Sequence, residues 1–140
     1  MKEYKVIESE IEYLVKEYSN GDKFWYKEGK LHRLDGPAVE CADGDKYWYK
    51  EDKLHRLDGP AKQYSNGGKT WYKEGKVHRL DGSAIEYADG AKFWYKEGKR
   101  HRLDGPAVEH VSGRVEYWIN GQQWDYLPTE EELAIRDIIE

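Results

Sequence analysis

Residues 32–36 read His-Arg-Leu-Asp-Gly, and the same five return at 55–59, 101–105 and 78–82. An imidazole three residues from a carboxylate is raw material for acid–base catalysis or for a metal site, and an arginine two residues from the same carboxylate is raw material for an ion pair or an anion site. Catalysis needs one such constellation beside a nucleophile and a cleft, not four in series. The only thiol, Cys41, falls in a single copy, and Ser9, Ser19, Ser65, Ser83 and Ser112 hold no common place relative to the histidines. A metal shared between copies fails on distance. If a repeat contributes two or three strands, each about 4.8 Å from the next, equivalent imidazoles lie roughly 10–14 Å apart, whereas a zinc ion holds its nitrogens at about 2.1 Å. The expectation is a structural motif with no catalytic residue, no metal and no cofactor. Arg33, Arg56, Arg79 and Arg102 pair with Asp35, Asp58, Asp81 and Asp104 or their neighbours, the aspartates bond the turn amides before glycine, and the histidines bridge adjacent copies.

The elements that would hold these motifs repeat with them. His32, His55, His78 and His101 are 23 residues apart, and Trp25, Trp48, Trp71 and Trp94 keep the same step. The turns Asn20-Gly21, Asp43-Gly44, Asn66-Gly67 and Asp89-Gly90 recur too, and a fifth copy degenerates, with Tyr117 in the Trp place, Asn120-Gly121 in the second turn and Trp124 in the His place. Asn-Gly and Asp-Gly between β-forming segments predict hairpins. In the second copy Ala38-Val39-Glu40-Cys41 is one strand, Lys46-Tyr47-Trp48-Tyr49-Lys50 a continuous central one and Leu54-His55-Arg56 a third. Leu57-Asp58-Gly59-Pro60 leaves the sheet, with Pro lacking a donor and Gly accepting unusual dihedrals. Hairpins of this size need neighbours, so the predicted fold is all-β: an elongated antiparallel β-hairpin repeat sheet or solenoid. A single domain spans 1–140, with an N-terminal cap at 1–14, four repeats at 15–110, a degenerate fifth at 111–127 and a capping helix at 128–140. That helix opens on the Thr129/Glu132 capping-box pattern and offers Leu133, Ile135, Ile138 and Ile139 as apolar bulk.

Composition narrows the function classes. Six Trp and twelve Tyr in 140 residues make a ring-rich, aliphatic-poor core, and the aromatic content argues against disorder. The net charge of −5 is concentrated in the last twelve residues, where five carboxylates oppose Arg136. The remaining near-neutral body lacks the field that draws a protein to duplex DNA or anionic lipid. One cysteine permits no intrachain disulfide, and together with the acidic start MKEYKVIESEIEY it points to the cytoplasm. No apolar run is long enough for membrane insertion.

The order Trp-Tyr-x-x-Gly-Lys-x-His-Arg followed by Asp-Gly resembles the MORN repeat over about residues 15–125, with Leu-Asp-Gly-Pro-Ala in place of the usual MORN Gly-x-Gly. It is similar also to the Trp-Tyr-x-x-Gly-Lys-x-His-Arg-x-Asp-Gly-Pro-Ala repeats of bacterial and bacteriophage proteins. The resemblance implies a β-hairpin interaction scaffold, sometimes linked to lipid, and in a bacteriophage an inhibitor of a host protein.

Strand alternation places Tyr26, Tyr49, Tyr72 and Tyr95, flanked by Phe24, Tyr47, Thr70 and Phe93, on the face opposite the Trp column. A single-layer sheet cannot hide both columns, so one aromatic and basic face is expected to bind a protein partner. The alternative is a nucleotide-binding or single-stranded nucleic-acid-binding module, in which Arg33, Arg56, Arg79 and Arg102 hold phosphates beside stacking rings. Cys41, Asp52, Lys62, Thr70, Arg100 and His110 break the repeat and are where partner specificity would be read.

Overall fold

The computed structural model describes residues 1–135 and is nearly all β. It is a long antiparallel sheet of hairpins with one short helix, Glu130–Ile135, near the C-terminus. The chain divides into two compact units, residues 1–76 and 77–140.

In the first unit the hairpin Lys2–Glu8/Ile11–Glu17 opens the sheet, Lys23–Lys27 pairs with Ile11–Glu17, and each later repeat adds two short strands: Val39–Glu40 with Lys46–Tyr47, then Lys62–Gln63 with Lys69–Thr70. The second strand thus crosses the expected boundary at residue 14 and supplies the first repeat's opening strand. In the second unit Ile85–Glu86, Lys92–Phe93, Val108–Glu109, Val115–Ile119 and Gln122–Trp124 pair in that order.

The central strand is continuous in the first repeat, Lys23–Lys27, and in the degenerate fifth, Val115–Ile119. In the others it breaks at the tryptophan: Lys46–Tyr47 stays in the main sheet while Tyr49–Lys50 pairs with Lys53–Leu54 in a separate hairpin. The Trp48 amide donates to the Ala61 carbonyl and its carbonyl accepts from the His55 amide, so this one residue hands the strand from one partner to the other. The bulk packed at these breaks is small. Ala38, Ala61, Ala84 and Ala107 of the Gly-Pro/Ser-Ala segments are fully buried. In the first unit Ala38 packs with Tyr13, Val15 and Trp25, the cluster against which Tyr49 also rests.

Both turn families behave as their residues dictate. The two-residue hairpin turns hold Glu28-Gly29, Glu74-Gly75, Glu97-Gly98 and Asn120-Gly121 at positive φ, the geometry that matches the twist of the flanking strands. Asp52 stands in a glycine's place at φ 67°. Its carboxylate compensates by accepting the Leu31 amide at 2.7 Å. The helix opens as its capping box predicts, the Thr129 hydroxyl accepting the Glu132 amide and the Glu132 carboxylate accepting the Thr129 amide. Leu133 is buried and Ile135 exposed, so the apolar contribution expected of both comes from Leu133 alone; residues 136–140 of the expected helix, with Ile138 and Ile139, lie outside the described residues.

Candidate functional site: the Arg-Leu-Asp-Gly corners

Each His-Arg-Leu-Asp-Gly segment forms a corner outside the sheet. The Arg33, Arg56 and Arg102 guanidiniums lie flat over Trp25, Trp48 and Trp94, with the central carbon 3.6, 3.9 and 4.0 Å from the ring centre. On the other side of the guanidinium sits the corner glycine. A methyl group on Gly59, Gly82 or Gly105 would come within 2.9, 2.9 and 2.8 Å of the arginine central carbon. These glycines have no positive φ, so the expectation of unusual dihedrals gives way to another cause: only a residue without Cβ lets the cation close down. The arginine is then tied along the chain, Arg56 Nε donating to Asp58 at 3.0 Å and Nη1 to the Pro60 carbonyl at 3.1 Å. Arg79 and Arg102 repeat both bonds. Ser83, in the place of proline, keeps the carbonyl bond and adds one from its hydroxyl to Glu86. The aspartates therefore accept from the arginine two residues earlier rather than from turn amides.

The first corner differs. Arg33 makes a two-pronged pair with Glu8 at 3.0 and 2.8 Å, and Asp35 accepts from the Ser9 hydroxyl. Glu8 reaches it from the end of the N-terminal hairpin, whose turn holds Ser9 and Glu10 at positive φ. A local pairing rule gives way here to a charge supplied from 25 residues away.

The four histidines share one bond. Nδ1 of His32, His55, His78 and His101 accepts the amide of Glu51, Glu74, Glu97 and Asn120, at 3.1, 2.9, 2.9 and 3.0 Å. Each imidazole thus binds the hairpin turn of the following repeat and must be neutral to do so. Burial, with help from nearby lysines, pushes His32 and His101 below the ordinary histidine value. Among the described residues no group of three His, Cys, Asp or Glu side chains is placed to hold a metal.

What the corner leaves outward is leucine and carboxylate. Leu34, Leu57, Leu80 and Leu103 are 64, 80, 77 and 42% exposed. The Asp58, Asp81 and Asp104 side chains are 87–88% exposed while their arginines are only 20–24% exposed. Between Leu34 and Leu57 runs a groove of about 670 Å³ lined by Pro37, Trp48, Tyr49, Lys50 and His55 as well as the corner residues. Its counterpart in the second unit, about 600 Å³, lies between Leu80 and Leu103 over Trp94, Lys96 and His101. Composition did not reveal this row. The available signal was an aliphatic residue held between Arg and Asp in every copy of an otherwise polar turn.

The residues expected to form the partner face are dispersed and half-buried. Tyr26 lines a separate groove beside Tyr13 and Leu14, under Lys16. Tyr49 lines the corner groove and also packs on the Trp25 cluster, and its carbonyl accepts the Arg33 amide. Tyr72 lies under Lys62, and the Tyr95 hydroxyl accepts from Arg100. Phe24, Tyr47 and Phe93 make edge-to-face pairs with Tyr18, Tyr64 and Tyr87, the residues that begin the Asn/Asp-Gly turns. Burial and then Asp45 push the Tyr47 phenol up. Thr70, in the equivalent place, is buried.

Several repeat-breaking residues acquire roles. Arg100 and His110 converge on Glu116, whose carboxylate also accepts from the Trp118 indole at 2.9 Å and lies 3.6 Å from Arg114. The hydrogen bond from His110 is the largest of the effects that hold the Glu116 carboxyl below its usual value. Lys62 spans the Tyr47 and Tyr72 rings. Cys41 is half-buried, and burial together with Asp22, Asp43 and Asp45 pushes its thiol up, away from a reactive thiolate.

No family model matches the chain, and no curated protein is significantly similar to it. Among the described residues no helix is long and apolar enough to cross a membrane.

Proposed function

We propose that the chain is a non-enzymatic protein-binding scaffold, an interaction module of the kind its MORN-like repeats imply, and that each unit docks a partner through its pair of Arg-Leu-Asp-Gly corners. The observation that carries this reading is the exposure of one leucine on every corner. Leu34, Leu57 and Leu103 sit on supports locked by ring stacking, an ion pair and a backbone bond, and Leu80 on one locked by the ion pair and the backbone bond, so a partner finds apolar anchors already ordered. Isolated exposed leucines are ordinary, but a leucine exposed at the same place in every copy, on a corner whose arginine is anchored each time by a carboxylate and a backbone carbonyl, is a pattern. The aromatic residues proposed from sequence enter as groove lining, with Tyr49 the clearest case.

The arginines argue against the nucleotide or single-strand alternative. Their Nε and Nη1 groups bond carboxylates and carbonyls, and the exposed carboxylates of Asp58, Asp81 and Asp104 stand outside the largely covered guanidiniums, so an approaching phosphate meets negative charge first. Inhibition of a host protein is the form this scaffold would take in a bacteriophage setting.

Affinity capture from a bacterial lysate tests the reading. The native chain is compared with a variant carrying Leu→Ser at 34, 57, 80 and 103, with circular dichroism confirming an unchanged fold. A captured protein lost by the variant supports the corner face, and equal capture by both overturns it. A nucleotide titration at low salt accompanies it, and saturable binding there would favour the alternative.

A further inference from the structure

The spacing and chemistry of the corners also specify what kind of segment would lie along them; this rests on the scaffold reading. Each repeat adds two strands to the main sheet, Val39–Glu40 with Lys46–Tyr47 and Lys62–Gln63 with Lys69–Thr70. Successive corners within a unit are therefore about 9.6 Å apart. A polyproline II helix returns the same side every three residues, about 9.3 Å. An extended strand returns the same side about every 6.7 Å, out of step with the corners. A helix about 10 Å or more across would ride over the leucines without entering the space between them.

The lining agrees with the pitch. Leu34 and Leu57 wall a groove that includes Trp48, Tyr49 and Pro37, and Leu80 and Leu103 wall one over Trp94. Ring-lined grooves of this width accept proline rings, and a segment already in the polyproline II form has little conformational entropy left to lose. Charge sets the rest of the motif. Asp58, Asp81 and Asp104 each bond an arginine beneath them through one oxygen while the carboxylate remains almost fully exposed. A guanidinium or ammonium on the ligand would meet them without breaking the corner.

We infer that the groove between the two corners of each unit binds a proline-rich, basic peptide segment in the polyproline II conformation, a proline ring seated between the two leucines and Arg or Lys side chains on the corner aspartates.

Titration by calorimetry and two-dimensional NMR tests this on the full chain with four synthetic twelve-residue peptides. One repeats Pro-Pro-Arg; one repeats Gly-Ser-Arg, equally charged but flexible; one repeats Pro-Pro-Glu; and one is an alanine-based helix with the same number of arginines. Pro-Pro-Arg is expected to bind at least about tenfold tighter than the other three, with amide shifts at residues 34–36 and 57–59 in the first unit and 80–82 and 103–105 in the second; the affinity read from the first set should weaken about tenfold in Leu57→Ser and that read from the second in Leu103→Ser. Equal affinity for Gly-Ser-Arg, equal or better affinity for Pro-Pro-Glu or the helical peptide, or no shifts at about 1 mM peptide would overturn it. Those failures are separable from failure of the scaffold reading, which stands if lysate capture still depends on the leucines and falls if it does not.

Discussion

The two units keep one edge of the repeat alike and let the other diverge. Along the corner edge both stack arginine on tryptophan, Arg56 on Trp48 in the first and Arg102 on Trp94 in the second, and both lay histidine Nδ1 on the next turn amide. Along the Asn/Asp-Gly edge they part. In the first unit Asp22 and Asp45 accept the Ala42 and Ser65 amides of the following repeat at 2.7 Å. There the turns pack closely, Gly21 against Ala42 and Gly44 against Ser65. In the second unit the matching position is Ala91, which has no acceptor, and the Glu116 cluster of Arg100, His110, Arg114 and Trp118 supplies the polar links instead. The difference teaches that the stacking step is fixed at the corners and that the opposite edge can be held by any convenient set of bonds.

The deepest way to break the comparison is at the ring. Trp25 is buried in the first unit's core, and Trp25→Ala is expected to cost about 3–5 kcal/mol in urea denaturation. Trp94→Ala, at a half-buried ring, should cost less. Gly59→Ala comes next: the new methyl would meet the Arg56 guanidinium at 2.9 Å. Displacing the cation loses both the ring contact and the Asp58 bond, about 2 kcal/mol together. Asp45→Ala should remove about 1 kcal/mol from the first unit, read as faster exchange of the Ser65 amide. The reverse change, Ala91→Asp, offers the Val111 amide the acceptor that its counterparts have and should add about 0.5 kcal/mol to the second unit.

The smallest effect is a difference in acid response. His32 and His101 have lowered values, so the stability they contribute is complete above about pH 6.5, the unfolded value, and declines as pH falls below it toward their folded values. Both units share this loss. Glu116 is also lowered, from 4.5, and its contribution is present above that value and lost as pH falls through its folded one. Amide exchange between pH 7.5 and 3.5 should show both units weakening first and the second unit alone weakening again near the carboxylate range. Parallel loss throughout would separate Glu116 from the second unit's stability.

Much of this was legible in the sequence, for reasons that particular residues make clear. The 23-residue step, the positive-φ turns and the Thr129/Glu132 cap rest on local chemistry, which sequence carries directly. The Arg–Asp pairing two residues apart is local too, and three of the four corners show it. Arg33 escapes the rule because Glu8 comes from a different hairpin. The break at Trp48 was hidden for a related reason. A run of β-formers reads as one strand, and nothing in Lys46-Tyr47-Trp48-Tyr49-Lys50 says that its two halves have different partners. The leucines were passed over because an aliphatic residue is assumed to seek the interior, whereas at the corner its neighbours Arg and Gly have already filled the space beneath it.

The imidazole link has a direction: every copy offers a lone pair forward to the one that follows. At the fifth position that offer ends, because Trp124 occupies the register and an indole nitrogen has a hydrogen to give but no lone pair to lend. The imidazole link therefore runs through the four full copies to the turn of the fifth, and the segment after Trp124 is ordered by chemistry of its own, the Thr129–Glu132 capping pair.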